Sequence, residues 1–530
     1  MTAENTSPAT GSSTPPPSPP ASAVEKPPVS SPAPSTEVTA DPLSSINPKE
    51  VVFILRAAPG PSSAPGYLVY SLLAPPRQNS DERFVYTVTH LPRLPDDSPL
   101  REFLFDSLPA YLAAPRKVHV VVSTRSGLRQ AEGFYADVLA PLLKVVGLEE
   151  GDGGGYTTTV TKSAETIREL GRELGREGTA GNATVVLLSG DGGVVDLLNG
   201  LDQVGGAGAP VIVTLPMGTG NALFYSLHKH HFVLEGKAAP VRRDVVALRT
   251  LLGGRAEPLP TFRAAFSPGA RLLAPPTDES VAATPTPTPT PTPAPSTETT
   301  APLPSAPPRE TNLHDDEDDD DDDDDEGHPT PHLIGAIVLS YGFHAALVWE
   351  SDTPSHRRHG ALRFYMAANE LQKTAHGYDA LVSVRRPGDP EGVFTRLLPP
   401  PFGPGPDGKG KPGSEKFTYL LMTLVSNLER TFGISPHSQP LDGKMRAVYF
   451  GEVGESRTSI AMGAAANKGE HVGMEGIGYE EVEEVKVVVG EGEGRRWRIF
   501  CVDGSTVRVE KGGWVKVRRE KGGRAMIVVS

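Results

Sequence analysis

The centre of the chain reads Val185-Val-Leu-Leu-Ser-Gly-Asp-Gly-Gly-Val-Val-Asp-Leu-Leu-Asn-Gly-Leu201 and, after a short loop, Pro210-Val-Ile-Val-Thr-Leu-Pro-Met-Gly-Thr-Gly-Asn-Ala222. Each stretch begins with an apolar run of the length that suits a parallel strand buried on both faces. Glycine after such a strand lets the backbone approach a ligand, and the next helix directs unpaired N–H groups at an anion. The two turns together predict a phosphate-binding cradle.

The first of these turns contains an acid, Asp191. A carboxylate beside phosphates is repulsive, so we expect it to accept a proton or to help hold a metal. The alternative is two ordinary βα turns of an α/β fold, because glycine turns alone are common. The acid is the feature that such ordinary turns do not require.

The segments before these turns alternate between strand and helix patterns. Strands are predicted after Arg116, over Thr157 to Thr161 and over Val185 to Leu188, with helices over Gln130 to Val146 and Ala164 to Gly175. This alternation predicts a parallel sheet whose ligands collect at the carboxyl ends of its strands. That edge would gather Ser123-Thr-Arg-Ser-Gly127, Thr161 and both glycine turns.

Composition divides the chain into five parts. The 54 prolines and 56 glycines are too many for a chain that is folded throughout. We predict a disordered tail (1–46), an accessory β-meander with a connector (47–110), a catalytic α/β domain (111–245), a β-rich C-terminal domain (246–270 and 332–530) and a disordered insertion (271–331). The insertion contains a Thr-Pro repeat and a run of twelve acidic residues, Asp315 to Glu326.

Charge and targeting signals limit the class of protein. Without the acidic run the net charge falls from −14 to −2, so charge favours no particular partner. A single cysteine, Cys501, suits a reducing compartment, and the N-terminus lacks a signal-peptide pattern. The longest apolar stretch, Leu333 to Trp349, is too short to span a membrane and predicts a buried strand and turn. We expect a cytoplasmic protein with peripheral membrane contact and no nucleic-acid partner.

The two glycine motifs and their separation resemble the catalytic domain of the diacylglycerol kinase family, and most closely its sphingosine and ceramide kinase branch. The resemblance covers the whole predicted α/β domain. It implies a Rossmann-like N-terminal kinase domain with a parallel sheet, a β-sandwich-like C-terminal domain and an active site in the cleft between them. It also implies ATP and Mg²⁺ as cofactors and a lipid substrate.

The resemblance assigns a catalytic role to Asp191, as base or as orienting group for the attacking hydroxyl. It assigns nucleotide contacts to Ser126, Gly127, Thr161, Gly190, Gly192, Gly193, Gly218, Thr219, Gly220, Asn221, Arg357, Arg363 and Asp503. No residue is expected to bind the metal directly, since Mg²⁺ would arrive with ATP, with Asp503 as a possible outer-shell partner. The chain departs from the family at Ser123, where relatives carry Asn, and at Ser505, where they carry Glu. These changes predict a weakened nucleotide contact and put one metal-side contact in doubt.

Alternatives remain for several of these residues. Arg357 and Arg363 resemble family arginines that reach the ATP phosphates, but they would also suit a solvated basic helix face. Asp503-Gly504 matches a family turn, but it is also an ordinary hairpin sequence.

The lipid that accepts the phosphoryl group is less closely defined. Asp196, Glu350 and Asp352 are candidate substrate-side residues, and Asp196 could instead support the site. Sphingosine kinases carry an acid after their Gly-Phe turn that meets the lipid head group, whereas Gly342 to Trp349 here is apolar or neutral. Either Glu350 or Asp352 takes that role, or the lipid is not a sphingoid base. The prediction is an ATP-dependent kinase for a sphingoid base or a related lipid, with diacylglycerol and ceramide open.

Two other classes of function also fit the sequence. A catalytically weak pseudokinase that binds nucleotide or lipid is consistent with Ser123 and Ser505. An NAD kinase-like enzyme shares the acidic glycine turn, but its second motif differs from Leu215 to Asn221. Retention of Asp191 with both turns favours an active kinase.

Overall fold

The computed structural model describes residues 42–57, 66–74, 83–151, 155–205, 208–232, 240–274, 327–360, 362–374, 376–402 and 415–530. Residues 46–530 form one compact unit, distinct from residues 1–45. Nearly all of the predicted disordered tail (1–46) lies outside the described residues, as do the Thr-Pro repeat and acidic run of the predicted insertion (271–331).

The first part of the folded unit is an antiparallel meander. Its strands are β1 (Val51–Ala57), β2 (Gly66–Leu72) and β3 (Tyr86–Leu91), paired in sequence order. Phe53 stacks on Tyr70 with ring centroids 4.6 Å apart, and both belong to a core that also contains Val245 and Leu248. The meander therefore packs on the α/β part of the chain, as three strands alone would be marginally stable.

The α/β part alternates strands and helices. Its strands are β4 (Lys117–Val122), β5 (Tyr156–Val160), β6 (Ala183–Ser189), β7 (Val211–Pro216) and β8 (Arg255–Pro258). Its helices are α1 (Ala131–Phe134), α2 (Ala140–Val145), α3 (Glu165–Arg176), α4 (Asp191–Gln203), α5 (Ala222–Leu227), α6 (Lys229–Phe232) and α7 (Arg243–Gly253), with a π turn between α1 and α2.

The remaining chain is rich in strands. The strands are β9 (Phe262–Phe266), β10 (Arg271–Leu273), β11 (Gly327–Pro329), β12 (His332–Gly335), β13 (Val338–Gly342), β14 (Ala380–Arg385), β15 (Thr395–Leu397), β16 (Phe417–Thr423), β17 (Arg446–Gly451), β18 (Gly478–Glu481), β19 (Glu484–Val489), β20 (Ile499–Val502), β21 (Ser505–Arg508), β22 (Trp514–Arg519) and β23 (Met526–Val529). Among the described residues, the α-helices between these strands are α8 (Phe343–Glu350), α9 (Pro354–Arg357), α10 (Leu362–Thr374) and α11 (Gly454–Ala466).

One sheet joins the strands of the α/β part to the last strand of the chain. Its described strands lie in the order β5-β4-β6-β7-β23-β8, and all pairs except β23-β8 are parallel. Strand β6 is buried along its whole length, because Val185 and Leu187 face the core of α3 and α4 while Val186 and Leu188 face the core of α7. Burial on both faces explains its continuous apolar sequence.

The pairing of the last strand differs from the predicted division into domains. The sequence assigned 246–270 and 332–530 to the C-terminal domain, but β8 and β23 pair within the parallel sheet. Composition cannot reveal such a partner, because a short apolar strand fits either sheet equally well.

The other two large sheets form a sandwich. Their described strands lie in the orders β11-β10-β21-β20-β13-β16-β17-β18 and β12-β9-β22-β19-β14-β15. Tyr341 and Phe500 of the first sheet share a buried core with Val485 and Val517 of the second. Strands β10 and β11 pair directly, with Leu273 opposite Gly327, so the two ends of the insertion lie side by side. The fold is therefore α/β, with a parallel-sheet lobe and a β-sandwich lobe.

Helix α8 corrects one detail of the sequence interpretation. Leu333 to Trp349 was expected to be a strand and turn, but its second half is helical. Gly342 makes the turn with φ 86°, where a Cβ would come 2.6 Å from the Thr418 oxygen. The segment is almost uniformly apolar, so it shows no helical period that the sequence could reveal.

The two lobes are joined by buried polar contacts. The Asn199 amide of α4 donates to the Ile334 oxygen and accepts from the Ile334 N–H, both at 2.9 Å. The Ser226 hydroxyl of α5 accepts from the Asn427 N–H at 3.0 Å. Helices α4 and α5, which follow the two glycine turns, are therefore held against the sandwich. None of the described helices is long and apolar enough to cross a membrane.

Helices α3 and α4 cross at glycines, which gives a stability prediction. A Cβ on Gly200 would lie 2.1 Å from the Arg168 oxygen. We expect Gly200→Ala to destabilise the protein by about 1–3 kcal/mol, since the helices must separate. A matched substitution, Gly463→Ala in α11, has nothing within 4 Å and should be neutral or stabilising. Thermal unfolding of both variants checks this, and equal midpoints would contradict it.

Candidate active site

Three turns meet at the carboxyl edge of the parallel sheet. They follow the neighbouring strands β4, β6 and β7 and contain Gly127, Gly190 and Gly218. A Cβ on Gly218 would lie 2.4 Å from the Gly190 Cα, and one on Gly127 would lie 2.4 Å from the Met217 oxygen. The turns thus pack backbone against backbone, which only glycine permits. Three residues far apart in sequence are brought together as expected for a shared site.

The turn after β7 is closed by Asn221. Its side-chain oxygen accepts from the Gly218 N–H at 2.9 Å, and its amide donates to the Gly218 oxygen at 2.8 Å. Asn221 is buried and has φ 54°, a conformation that asparagine tolerates better than most residues. Thr219 and Gly220 form the tip of this loop. Asn221 therefore shapes the cradle through its side chain.

Asp191 connects two of the turns. It is the first residue of α4, and its Oδ2 and Oδ1 accept from the N–H groups of Ala222 and Leu223 at 2.7 and 3.1 Å. Burial raises the pKa of Asp191 to about 6, and the two backbone hydrogen bonds oppose that rise. Each carboxylate oxygen has two lone pairs, so the group can still accept a hydrogen bond from a ligand.

The turn after β4 is tied to the end of β5. The Thr161 hydroxyl accepts from the Thr124 N–H at 3.1 Å, and the Ser126 hydroxyl donates to the Ser123 hydroxyl at 2.8 Å. Ser123, which stands in place of the family Asn, is therefore engaged within the turn. Ser126 and Thr161 lie at the same sheet edge as the glycine turns.

The first turns of α4 hold three further predicted residues. Gly192 is exposed, and a Cβ there would meet no heavy atom within 4 Å, whereas Gly193 packs on Ser189. Asp196 pairs with Arg168 of α3 at 2.9 Å. Burial raises the pKa of Asp196 to about 6, and Arg168 opposes the rise. Asp196 thus makes a contact between helices, consistent with support of the site.

Asp503 belongs to the sandwich lobe. It sits in the turn between β20 and β21 and accepts from the N–H groups of Ala336, Ile337 and Val338, with the first at 2.6 Å. Burial raises its pKa to about 7, the three hydrogen bonds oppose the rise, and the charge of Asp191 adds to it. The oxygens of Asp503 are occupied by backbone, while Ser505 begins β21.

Arg357 and Arg363 converge on one carboxylate. Arg357 Nε and Arg363 Nη1 each lie 2.9 Å from Asp352 Oδ1. Arg357 is exposed and Arg363 is partly buried. The structure brings the two arginines together, and their contact with ATP phosphates stays a prediction. Asp352 serves as their counter-ion.

Glu350 is also engaged. It is buried, and its Oε1 accepts from Arg496 Nη2 at 2.5 Å. Burial raises the pKa of Glu350, and the hydrogen bond and charge of Arg496 oppose the rise. Both acids that the sequence offered for a lipid head group are thus paired with arginine.

Arg168 and Arg496 are the polar partners that sequence reasoning missed. Arg168 neutralises the partly buried Asp196, and Arg496 neutralises the buried Glu350. Arg168 lies 28 residues from Asp196 and Arg496 lies 146 residues from Glu350. The only sequence signal was the acids themselves, which require a partner when buried.

The side chains around the site also limit how a metal ion could be bound. In the described ranges, no three His, Cys, Asp or Glu side chains are grouped so that they could hold an ion. Mg²⁺ commonly binds through substrate phosphates with one or two carboxylates and several waters. Asp191, which keeps free lone pairs, suits that limited role, whereas the oxygens of Asp503 already accept from three backbone N–H groups. A metal held mainly by ATP fits these residues.

Comparison with known proteins identifies the segment around the three turns. Residues 117–258, from the start of β4 to the end of β8, match the family model of the diacylglycerol kinase catalytic domain. No curated protein sequence matches the chain.

Solved structures from Bacillus anthracis str. Sterne are also similar. A candidate diacylglycerol kinase shares 11% identity at TM-score 0.43, covering 78% of this chain and 98% of its own. A diacylglycerol kinase shares 9% identity at TM-score 0.40, covering 78% and 97%. At TM-scores this low, the fold rests on the strand pairing described above.

Proposed function

We propose that the chain, whose residues 117–258 match the diacylglycerol kinase catalytic domain, is a lipid kinase that transfers the γ-phosphoryl group of ATP to a hydroxyl of a sphingoid base or a related lipid. The observation that carries this proposal is the contact between the turns of Gly190 and Gly218, with Asp191 joined to both. Backbone N–H groups at the start of α4 would then face the phosphates.

Asp191 would act on the lipid hydroxyl that receives the phosphoryl group. Its carboxylate is fixed by two backbone hydrogen bonds and keeps free lone pairs. A hydroxyl placed at those lone pairs would be oriented for attack, and its proton would have an acceptor. Positioning would supply much of the rate, since a carboxylate is a weak base.

On the phosphate side, the cradle would be joined by the positive charge of two arginines. Arg357 and Arg363 hold two guanidinium groups beside each other through Asp352. Planar guanidinium groups suit the charge that spreads over the transferring phosphoryl oxygens. When bound with ATP, Mg²⁺ would neutralise phosphate charge. An outer-shell contact with Asp503 stays a prediction, because its oxygens already accept from the N–H groups of Ala336, Ile337 and Val338.

The acceptor requires contact with a membrane surface, because long-chain lipids reside there. We propose peripheral binding of the enzyme from the cytoplasmic side. Sphingoid bases, ceramide and diacylglycerol all present a hydroxyl at the membrane interface, so each is a candidate acceptor.

A lipid panel tests this function. The full chain is incubated with radiolabelled ATP, Mg²⁺ and mixed micelles of sphinganine, sphingosine, ceramide or diacylglycerol. We expect label in at least one lipid. Bound ATP without transfer to any lipid would favour a pseudokinase, and transfer to NAD alone would favour an NAD kinase-like enzyme.

The pH dependence follows from the pKa of Asp191. A base must be ionised to accept a proton, and the pKa of this carboxyl is raised to about 6. We therefore expect kcat/KM for the lipid to increase as pH rises through about 6 and to level off above about 7.5. Initial rates across this range at saturating ATP check it. A profile that stays flat down to about pH 5 would contradict a role for ionised Asp191.

A further inference from the structure

Helix α10 carries the two most exposed large apolar side chains of the described residues. Leu362 is 66% exposed and Tyr365 is 68% exposed. They lie three residues apart at the start of the helix, so they are neighbours on its surface. Apolar residues exposed singly are common, whereas two neighbours form a patch that suits contact with a partner.

The other side of α10 packs against the protein. Ala367 and Leu371 are buried, and Leu371 shares a core with Ala346 of α8 and Val448 of β17. Within the described residues, the apolar pair at the start of α10 belongs to none of the three hydrophobic cores. The helix is therefore held through one side only, and its apolar pair projects from the other side.

Basic residues accompany the apolar pair. Residues 354–374, which contain α9 and α10, carry four Arg or Lys residues and one acid, Glu370, whereas the whole chain has a net charge of −14. Arg358, just after α9, and Lys373, in the last turn of α10, are exposed. Neither forms an ion pair with an acid in the part of the chain that the structure describes. Their positive charge is therefore available to an anionic partner.

The helical period aligns these side chains. Lys373 lies eleven residues after Leu362, which corresponds to three turns, so Leu362, Tyr365 and Lys373 share one side of the helix. These three residues are the α10 outer face, and Arg358 precedes it in the chain. Glu370 stands about a quarter turn away from Leu362 and does not interrupt this face.

An apolar patch with basic neighbours matches the surface of an anionic bilayer. Leucine inserts among the headgroups, tyrosine favours the interface because its ring is apolar and its hydroxyl polar, and Arg and Lys attract lipid phosphates. A stable protein partner would need about 800 Å² on each side, far more than two side chains offer. The bilayer is therefore the partner that these residues fit best.

The position of the face also suits the proposed reaction. Arg363 follows Leu362 directly and, with Arg357, is bonded to Asp352. These are the two arginines proposed for the ATP phosphates. A bilayer in contact with Leu362 would lie next to that pair, where a lipid acceptor has to arrive.

We propose that the α10 outer face docks the enzyme onto anionic phospholipid bilayers, with Leu362 and Tyr365 among the headgroups and with Lys373 and Arg358 at the lipid phosphates. This inference deepens the proposed peripheral binding and rests on the proposed lipid kinase function. Docking itself needs no catalysis, so it can be measured without phosphate transfer.

Vesicle binding tests the docking surface. Sedimentation with phosphatidylcholine vesicles, with and without phosphatidylserine, is measured for the full chain, for the double variant Leu362→Glu with Tyr365→Glu, and for Arg358→Gln. We expect the double variant to lower affinity for phosphatidylserine vesicles at least about tenfold, and Arg358→Gln to lower it about fivefold. Glutamate suits the first turn of a helix, so the double variant should still fold.

Val393→Glu is the matched control. Val393 is 52% exposed, but it lies between β14 and β15 of the six-stranded sheet, whereas α10 packs on the eight-stranded sheet. Its vesicle affinity should stay within about twofold of the wild-type value. Equal binding by wild type and the double variant would overturn the proposal. Wild-type binding that does not depend on phosphatidylserine would overturn it as well.

Activity measurements separate this inference from the kinase function. In the double variant, phosphorylation of a water-soluble short-chain lipid should be unchanged, whereas phosphorylation of lipid in phosphatidylserine vesicles should fall. Vesicle binding that the double variant loses, with no phosphate transfer to any lipid, would retain the docking surface and reject the kinase. Transfer in vesicles at equal rates by wild type and the double variant would retain the kinase and reject the docking surface.

Self-association is the remaining outcome for this face. The molar mass of wild type and the double variant in solution is measured by light scattering. A monomer in both proteins is expected. A wild-type dimer that the double variant loses, without vesicle binding, would assign the face to a second copy of the chain and overturn the proposal.

Discussion

Asp191→Asn should lower kcat for phosphate transfer by about 10²–10⁴-fold, the range typical for loss of a general base. Asparagine has the same shape but cannot accept the proton. Its amide oxygen can replace only one of the two bonds to the N–H groups of Ala222 and Leu223. We therefore expect an additional loss of stability of about 1–2 kcal/mol. Single-turnover transfer at saturating ATP measures the chemical step, and thermal unfolding measures the structural effect.

Asp244→Asn is the control for this variant. Asp244 lies in the first turn of α7, accepts from the Val245 N–H at 2.9 Å and pairs with Arg242. The Asp244→Asn variant therefore loses a comparable contact at the start of a helix, outside the three glycine turns. A kcat for Asp191→Asn that equals the value for Asp244→Asn would show that Asp191 only shapes the fold.

Gly218→Ala should weaken ATP binding by about 5–150-fold, since relieving an overpacked contact costs roughly 1–3 kcal/mol. The new Cβ would lie 2.4 Å from the Gly190 Cα, so the two turns must move apart. It would also lie 2.9 Å from the Asn221 amide oxygen that closes the loop. Calorimetric titration with a non-hydrolysable ATP analogue gives the affinity.

Gly253→Ala is the matched control. It ends α7, and a Cβ there meets nothing within 4 Å, so ATP affinity should not change. Unchanged affinity in Gly218→Ala would mean that the contact between the turns does not form the nucleotide site.

The parallel-sheet lobe was largely predictable from sequence. Buried strands such as β6 read as continuous apolar runs, and glycines mark where each run ends. Adjacent βα units repeat this pattern locally, so the common edge that gathers Gly127, Gly190 and Gly218 could be expected. The match to residues 117–258 confirms the family resemblance of this segment, although it does not distinguish the sphingosine kinase branch.

The sandwich lobe was less predictable because its decisive features depend on distant partners. Helix α11 carries mostly small residues, with Ala461 and Ala465 buried, and gives no strong helical pattern. Strand β23 joins the parallel sheet through Val211 and Ile212, more than three hundred residues earlier. Pairing over that separation is set by packing in three dimensions, which local sequence does not encode.

The candidate site, too, was only partly predictable from the sequence. The sequence indicated Asp191 by its position between glycines, and its catalytic role stays a prediction. It could not identify that Asp503 is held by the N–H groups of 336–338, because that contact joins two separate turns. The pairing of Arg357 and Arg363 with Asp352 was also hidden, although all three lie within 12 residues. Side-chain geometry, rather than spacing, decides which acid each arginine meets.

The most direct test of the account is transfer of radiolabelled γ-phosphate from ATP to lipid by wild type and Asp191→Asn in parallel. The account predicts a labelled lipid product with the wild-type chain and a loss of label in the variant, with ATP still bound by both. Equal labelling by the two proteins would remove Asp191 from the mechanism. No labelled lipid with wild type, despite bound ATP, would contradict the lipid kinase function itself.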